Sequence, residues 1–189
     1  MVQLNALVPL ADGFEEMEAV IVIDVLRRAG MHVAVLGLDA DRSVTGSRGV
    51  VVAHEGELTG TEDCDLLVLP GGAKGAERLA ADARIGTLLA RCERDERWVG
   101  AVCAAPMVLA KFAAFADRSM TSHPSVRELV AAHAMRYLED SVVVDENLIT
   151  GRGPGVALQF AVRMVETTLG RQAADAVCKP MMMEHHPNG

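Results

Sequence analysis

Aromatic and basic side chains are both scarce in this chain. Its 189 residues include four Phe, one Trp and one Tyr, and the formal net charge is −8. Neutralising phosphates needs a basic surface, and binding single strands usually adds aromatic platforms for the bases. The composition argues against a nonspecific nucleic-acid binder, although nucleic acid that carries a small adduct could still be a substrate.

Disulfide and metal signatures are also missing. The four cysteines, at positions 64, 92, 103 and 178, show no CxxC spacing, and the histidines form no HxxxH, HExxH or Cys/His cluster. Such spacings are what structural zinc sites and redox motifs need, so we expect no bound metal. A chain of this length can bury a full hydrophobic core without disulfides or bound metal. We expect one domain over 1–189.

Long apolar runs are absent too. No uninterrupted stretch approaches the roughly 20 residues of a spanning helix, so we expect no membrane insertion. The first residues, MVQLNALVPLADGFEE, lack the basic region and long apolar stretch of a secretory signal. Together with the unpaired cysteines, this predicts a reducing cytoplasm.

What the sequence does contain is an alternation of strand and helix patterns. Apolar runs suitable for strands are NALVPL, MHVAVLGL, CDLLVLP, WVGAVC and SVVVDENLIT. Helical periodicity covers 15–29, 78–97 and 154–169, whereas 44–58 is typical of a hairpin or sheet edge. Continuous apolar strands imply burial on both faces. The pattern predicts an α/β fold with a mostly parallel sheet covered by helices on each side.

Cys103 is placed where the strand pattern WVGAVC passes directly into the helical pattern AAPMVLAKF. A helix N-terminus offers unpaired N–H groups and partial positive charge, which favour a thiolate and lower a cysteine pKa. The neighbouring alanines fit a sharp strand-to-helix turn with an exposed nucleophile. The alternative is an unreactive packed cysteine.

In such a sheet, the loops at the carboxyl ends of the strands meet in one crevice. Gly71 and Gly72 follow LLVLP and would bring bare backbone close to a ligand there. The N–H groups of Gly72 and Ala104 could together hold a developing oxyanion. The alternative for the glycines is an ordinary strand-to-helix turn.

Glu15, Glu16 and Glu18 cluster at the start of the first helix, where the helix dipole favours carboxylates. Helical spacing puts Glu18 on a largely apolar surface and gives the other two easier routes to solvent. A glutamate desolvated beside a thiolate should have a raised pKa and keep its proton. The alternative for Glu18 is a carboxylate at a core edge or a dimer interface.

Two further segments could reach the crevice. His123 in MTSHPS is the only histidine in a suitable loop, and the alternative is an exposed turn residue before Pro124. The turn GRGPG at 151–155 could line a pocket or bind an anion through Arg152. Its alternative is a loop that simply initiates a helix.

Six motifs in chain order, ALVPLADGFEEMEAV, GSRGVV, LPGGAKGAE, AVCAAP, SHP and GRGPG, resemble the ThiJ/PfpI superfamily over nearly the whole chain. The match is to the branch that contains the Parkinson-disease protein DJ-one and the bacterial YajL proteins. The resemblance implies a flavodoxin-like three-layer sandwich and a homodimer formed partly through the first helix.

The resemblance also implies residue roles. Cys103 would be the nucleophile, Glu18 its protonated partner, and His123 the pocket histidine. The backbone donors fall on Gly72 and Ala104, and the anion-contacting arginine on Arg48.

The chain departs from relatives in two places. Peptidase-type relatives carry histidine where this chain has Ala104, so peptidase chemistry is disfavoured. Ala53 replaces a second oxidisable cysteine, so a redox role would depend chiefly on Cys103.

The favoured function is a cofactor-free, cysteine-dependent glyoxalase or deglycase in a stress-protective role. It would act on 2-oxoaldehydes such as methylglyoxal, or on their early adducts with amino and thiol groups. The alternative is a redox-sensing or chaperone-like stress protein that uses oxidation of Cys103. An accessory role in thiazole or thiamin metabolism is a third possibility, for which the residues supply no mechanism.

Overall fold

A seven-stranded sheet forms the centre of the computed structural model, which describes residues 3–184. The strands of the chain are β1 Asn5–Leu10, β2 His32–Gly37, β3 Ser43–Thr45, β4 Val51–Ala53, β5 Gly56–Glu57, β6 Leu66–Leu69, β7 Trp98–Val102, β8 Ser119–Met120, β9 Arg136–Tyr137, β10 Val142–Asp145 and β11 Leu148–Gly151. The order in the sheet is β10-β11-β7-β6-β1-β2-β5. Neighbouring strands pair in parallel except β10 with β11.

Helices cover both faces of this sheet. They are α1 Glu16–Arg28, α2 Ala73–Ala81, α3 Ala83–Arg94, α4 Pro106–Lys111, α5 Arg127–His133, α6 Ala157–Leu169 and α7 Arg171–Cys178. Apolar residues of α1, α6 and α7 share one core with Val8 of β1, and those of α2 to α5 share a second core with Leu7. Successive strand residues point to opposite faces, so this division is what a sheet buried on both sides requires. The predicted flavodoxin-like sandwich is confirmed.

Two elements differ from the sequence-based prediction. The single helix expected over 78–97 is wrong, because the chain leaves helical geometry at Asp82 and α2 and α3 are separate. The Asp82 carboxylate accepts the Arg84 N–H at 2.9 Å and caps α3. The run SVVVDENLIT is a hairpin, because Glu146 takes a left-handed φ of 49° between β10 and β11.

The other predicted elements agree with the structure. Segment 44–58 contains the β3–β4 hairpin and the edge strand β5, and α1 is followed by Gly30 in the left-handed conformation. Within residues 3–184, no helix combines the length and apolarity that crossing a bilayer requires. The carboxyl ends of β1, β6 and β7 lie at the same edge of the sheet, and the candidate site is built on the loops that follow them.

Candidate functional site

Cys103 lies on a strained turn directly after β7. Its φ is 62°, a left-handed value that is uncommon for a residue with a side chain. The turn is held by the Cys103 N–H, which donates to the Gly151 carbonyl at 2.8 Å, and by the Cys103 carbonyl, which accepts the His123 N–H at 2.8 Å. Helix α4 begins only at Pro106. The sharp strand-to-helix turn predicted from the sequence is therefore present at Cys103.

The Cys103 side chain is 8% exposed, at a pocket of about 440 Å³. The residues that line it come from six connecting segments: Gly13, Glu15, Ser47, Arg48, Gly72, Ala73, Lys74, Cys103, Ala104, His123, Ser125 and Pro154. Pockets for small molecules typically range from about 300 to 1,000 Å³. This pocket is therefore suited to a small ligand or to one modified side chain.

Glu18 lies behind the cysteine and is completely buried. Its Oε2 accepts the Gly71 N–H at 2.8 Å, whereas its Oε1 is buried without a hydrogen-bond partner among the described residues. A side chain at position 71 would put its Cβ 2.5 Å from Glu18 Oε2 and 2.7 Å from the Cys103 Cβ. Glycine at position 71 therefore lets the backbone, the carboxyl group and the thiol meet.

Burial raises the pKa of Glu18 to about 7, because a carboxylate loses its hydration there. The hydrogen bonds from Cys103 and Gly71 oppose this rise in pKa, and the charge of Glu15 adds to it. The raised pKa predicted for Glu18 agrees with this environment. The carboxyl group is thus able to hold or to release a proton near neutral pH.

The Cys103 thiol differs from the expectation of a lowered pKa. Burial raises its pKa to about 12, and the charge of Glu18 and its hydrogen bond add to the rise. The N–H groups of Gly72 and Ala104 donate to the sulfur and lower the pKa, but they are outweighed. The expectation was wrong because it weighed the helix start and left out the burial of the thiol itself, which is the largest effect on its pKa. When Glu18 holds the proton its charge disappears, so the two groups share one negative charge between them.

The backbone at Gly72, one of the two N–H donors of the site, packs very closely against the loop between β1 and α1. Gly72 has a φ of 88°, and a Cβ there would come within 2.7 Å of the Glu15 N atom. Only glycine tolerates both this φ and this approach. The N–H groups of Gly72 and Ala104 consequently both face the sulfur at the base of the pocket.

His123 reaches the pocket from the loop after β8. Its Nδ1 accepts the Ser125 N–H at 3.2 Å and hydrogen-bonds with the Ser125 hydroxyl at 2.8 Å. Because Nδ1 accepts, Nε2 carries the proton of the neutral ring and is a donor. Pro154 of the GRGPG turn lines the same pocket, and a Cβ at Gly153 would lie 3.7 Å from the His123 ring.

The pocket rim carries two cations. Arg48 was expected there from the sequence, and its backbone N–H also donates to Glu16. Lys74 was not identified, although it stands in the GGAKGAE motif directly after Gly72 and Ala73. The signal that could have found it is its place in the first turn of α2, at the carboxyl end of β6.

Three other residues differ from what the sequence suggested. Gly71 holds Glu18 and does not line the pocket. The Arg152 guanidinium lies 2.8 Å from the Glu139 carboxylate, outside the pocket lining. The solvent route expected for Glu16 is wrong, because the side chain is buried and accepts the Ser47 hydroxyl at 3.0 Å.

The part of the chain between Gln3 and Glu184 contains no group of three or more His, Cys, Asp or Glu side chains arranged to hold a metal ion. His185 and His186 lie outside the described residues.

Comparison with known proteins gives a consistent result. The DJ-1/PfpI family model matches residues 4–167. Protein dj-1beta of Drosophila melanogaster is 40% identical over 186 residues, which cover 96% of this chain and 98% of that protein. A Caenorhabditis elegans protein named glutathione-independent glyoxalase DJR-1.2 is 32% identical over 184 residues, covering 96% and 97% of the two chains.

A solved structure shows the same fold. The crystal structure of Drosophila melanogaster DJ-1beta superposes with a TM-score of 0.93 at 38% sequence identity. The match covers 97% of this chain and all of the other. The likeness therefore includes both the sheet and the loops at its carboxyl edge.

Proposed function

The chain belongs to the DJ-1/PfpI family, and from this premise we propose that it is a cysteine-dependent, cofactor-free glyoxalase. Its substrates are 2-oxoaldehydes such as methylglyoxal, or the early adducts that they form with amino and thiol groups. The observation that carries the proposal is the close approach of the completely buried Glu18 carboxyl to Cys103 at the base of the pocket, where both lie within 2.7 Å of a Cβ at position 71. The relative named as a glyoxalase supports the reaction class.

The reaction begins with the shared proton of this pair. When Glu18 holds the proton, Cys103 is a thiolate and adds to the aldehyde carbon to give a hemithioacetal. Glu18 gives its proton to the aldehyde oxygen, and as a carboxylate it then takes the proton of the attacked carbon and delivers it to the neighbouring carbonyl carbon. The hydroxyl proton passes to the oxygen of that second carbon, and the product is a thioester of the hydroxyacid. Water hydrolyses the thioester, which releases lactate from methylglyoxal and restores the thiol.

Other pocket residues have supporting roles in this scheme. The N–H groups of Gly72 and Ala104, which face the sulfur before the reaction, then donate to the oxyanion that forms on the attacked carbon and stabilise it. The Nε2 proton of His123 orients the second substrate oxygen. Arg48 on the rim attracts the carboxylate that develops in the product.

The size of the pocket bears on the choice between free and attached aldehydes. At about 440 Å³ with an open rim, it has room for methylglyoxal and also for an adduct on a projecting side chain. A deglycase would be the hydrolytic version of the same chemistry, because the adduct carbon is the one that Cys103 attacks. Peptidase chemistry lacks support, since Ala104 stands where a triad histidine would be needed.

The test compares free methylglyoxal with a pre-formed protein adduct, side by side, in the parent protein and in Cys103→Ala and Glu18→Ala. Cys103→Ala is expected to abolish lactate formation, and Glu18→Ala to slow it by roughly a hundredfold or more. A buffer control is required, because spontaneous reversal of adducts can imitate repair. Cys178→Ala is the matched control, since Cys178 is a buried cysteine at the end of α7.

Lactate formation at the parent rate in both site variants would rule out this function. Turnover of free methylglyoxal without any effect on the adduct beyond the buffer control would restrict the activity to a glyoxalase. The opposite result would identify a deglycase.

A redox sensor with chaperone-like behaviour is the second candidate, and the donors around the same sulfur favour it. The N–H groups of Gly72 and Ala104, with a protonated Glu18, could hold the oxygens of a Cys103 sulfinate. Peroxide treatment followed by mass spectrometry distinguishes the two functions. Uptake of two oxygens at Cys103, with changed partner binding and no aldehyde turnover, would favour the sensor.

A homodimer through α1 is part of the proposal. Met17 and Val20 on this helix are 53% and 47% exposed, and Val51 on β4 is 60% exposed. The hairpin is tied to the helix because Glu16 accepts the Ser47 hydroxyl. A second copy of the chain would remove these apolar side chains from water.

A further inference from the structure

Two cysteines that the proposed function does not use lie together at the opposite end of the sheet. Cys64 is in the loop before β6 and Cys92 is in the last turn of α3. They are 7% and 2% exposed, belong to the same core, and lie close enough for each thiol to shift the pKa of the other. Paired thiols in contact are the arrangement from which a disulfide forms.

Backbone hydrogen bonds fix one side of this pair. The Trp98 N–H donates to the carbonyl of Asp65, next to Cys64, at 3.0 Å. The preceding Arg97 N–H donates to the carbonyl of Cys92 at 2.8 Å. The segments that carry the two cysteines are therefore both tied to the dipeptide 97–98, at the start of β7.

An arginine fixes the other side. The guanidinium of Arg91, the residue before Cys92, donates to the Glu62 carbonyl at 2.7 Å and to the carbonyls of Gly60 and Thr61 at 3.2 Å. This loop leads directly into Cys64. The pair thus lies between two sets of hydrogen bonds, which hold the segments that carry the two cysteines next to each other.

We propose that Cys64 and Cys92 are a second oxidation site, which forms a reversible disulfide when the protein meets a hydroperoxide. The Cys92 thiolate attacks the peroxide oxygen, forming a sulfenic acid and releasing an alcohol, or water from hydrogen peroxide. Cys64 then attacks this sulfur, the S–S bond forms, and the sulfenic oxygen leaves as water. Two thiols lose two electrons and two protons, and one peroxide gains them.

The local charges assign the attacking role to Cys92. Its pKa is lowered by the hydrogen bond from Cys64 and by the positive charges of Arg91 and Arg97, against the effects of burial and of Asp95. The pKa of Cys64 is raised by the same hydrogen bond and by its own burial. Cys92 is therefore the first of the two to ionise, and Cys64 supplies the resolving thiol.

This site is separate from the pocket. Cys64 precedes the amino end of β6, whereas Cys103 follows the carboxyl end of the neighbouring five-residue strand β7. At roughly 3.3 Å per residue, the strand alone separates them by about 16 Å. Neither Cys64 nor Cys92 can form its disulfide with Cys103 in the folded chain, so the two oxidations are independent.

The test uses the full chain with Cys103→Ala, so that the pocket cysteine cannot react, and hydrogen peroxide as the probe. We expect intact-mass spectrometry to show a loss of about 2 Da that dithiothreitol reverses. After trypsin, the peptide 49–74 should be linked to the peptide 92–94. Cys64→Ala/Cys103→Ala is the matched control and should show no such loss.

A stability measurement adds an independent readout. Closing a loop of roughly 28 residues should raise the Tm of the oxidised Cys103→Ala protein by roughly 6 to 12 °C. The proposal is overturned if the thiols gain oxygen without linkage, if either links to Cys178, or if linkage appears only after urea is added. A 2 Da loss that persists in the double variant would overturn it equally.

Discussion

The backbone N–H of Gly71 donates to Glu18 Oε2 at 2.8 Å, and no side chain fits at position 71 without displacing that carboxyl. Gly71 is not part of the pocket lining, yet it holds the Glu18 carboxyl group in place. The relationship links the end of β6 to α1, two elements 53 residues apart in sequence. The geometry around Cys103 therefore depends on a residue that does not itself reach the pocket.

The first prediction concerns Gly71→Ala. The added Cβ would lie 2.5 Å from Glu18 Oε2, 2.7 Å from the Cys103 Cβ and 2.9 Å from the Val102 carbonyl, so the buried pair must shift. We expect a loss of roughly 1 to 3 kcal/mol in the free energy of unfolding and at least a tenfold fall in methylglyoxal turnover. Urea unfolding and the lactate assay measure the two effects.

Gly155→Ala is the matched control, because nothing lies within 4 Å of a Cβ at that position. Gly155 belongs to the GRGPG segment, whose Pro154 lines the pocket. Equal behaviour of the two variants in both assays would contradict the importance assigned to the contact between Gly71 and Glu18.

The second prediction separates the reactivity of the thiol from catalysis. In Glu18→Gln, the like charge beside Cys103 is removed, so the pKa of the thiol should fall below about 12. Alkylation by iodoacetamide at pH 8 should become faster, whereas methylglyoxal turnover should fall roughly a hundredfold because the proton carrier is lost.

Glu77→Gln removes the same charge from an exposed position on α2 and serves as the control. It should change neither rate by more than a small factor. Slower alkylation in Glu18→Gln would contradict the contribution of the Glu18 charge to the raised pKa of the thiol.

The sequence predicted the layers, and it selected Cys103 and Glu18, which the fold brings together, for identifiable reasons. Helical spacing puts Glu18 on the apolar face of α1, and the direct strand-to-helix transition marks Cys103. Both are local patterns. A local pattern predicts which way a side chain faces whenever the helix or strand that carries it is correctly identified. The break at Asp82 was missed because a capping aspartate inside a long helical pattern leaves the periodicity on both sides intact.

Properties that depend on distant contacts could not be predicted in this way. The pKa of Cys103 follows from burial and from a carboxylate 85 positions earlier in the chain, and the burial of Glu16 follows from its bond to Ser47. The contact between Cys64 and Cys92 requires the register of β6 with β7 and the position of α3. None of these has a sequence spacing that signals it.

The third prediction concerns the pH dependence of stability. The pKa of Glu18 is about 7 in the fold against an ordinary value of 4.5, so the folded chain holds a proton that the unfolded chain releases. The stabilising contribution is present below about pH 4.5 and is lost as the pH rises through 7, by roughly 3 kcal/mol in all. Urea unfolding at pH 5 and pH 8 should show this loss in the parent but not in Glu18→Gln.

Other groups also titrate between these pH values, so the quantity to compare is the difference between the two proteins at each pH. A difference that stays constant from pH 5 to pH 8 would contradict a raised pKa at Glu18. If the parent instead loses stability relative to Glu18→Gln as the pH falls, the folded chain stabilises the carboxyl as an anion.

The fourth prediction concerns assembly. Met17→Glu combined with Val51→Glu places two charges on the apolar surface of α1 and β4, where the proposed dimer would bury them at a cost. We expect light scattering coupled to gel filtration to show a dimer for the parent and a monomer for this variant. Met135→Glu, at a 65% exposed apolar position just after α5, which covers the other face of the sheet from α1, should remain dimeric. A monomeric parent, or a dimeric double variant, would contradict the interface.

The last prediction is the pH profile of turnover. The reactive form, thiolate Cys103 with protonated Glu18, carries the same total charge as thiol Cys103 with ionised Glu18, so both exist only after the pair has lost its first proton. That proton leaves near pH 7 and the second near pH 12, since these are the pKa values of the two groups in the fold. The value of kcat/KM should therefore rise tenfold per pH unit below about 7 and stay level from there to pH 9.

In Glu18→Gln the residual rate should instead keep rising through pH 8, because the thiol must then ionise without a carboxyl to take its proton. A parent profile that follows this second course would mean that Glu18 takes no part in ionising the cysteine, and the proposed chemistry would have to be abandoned.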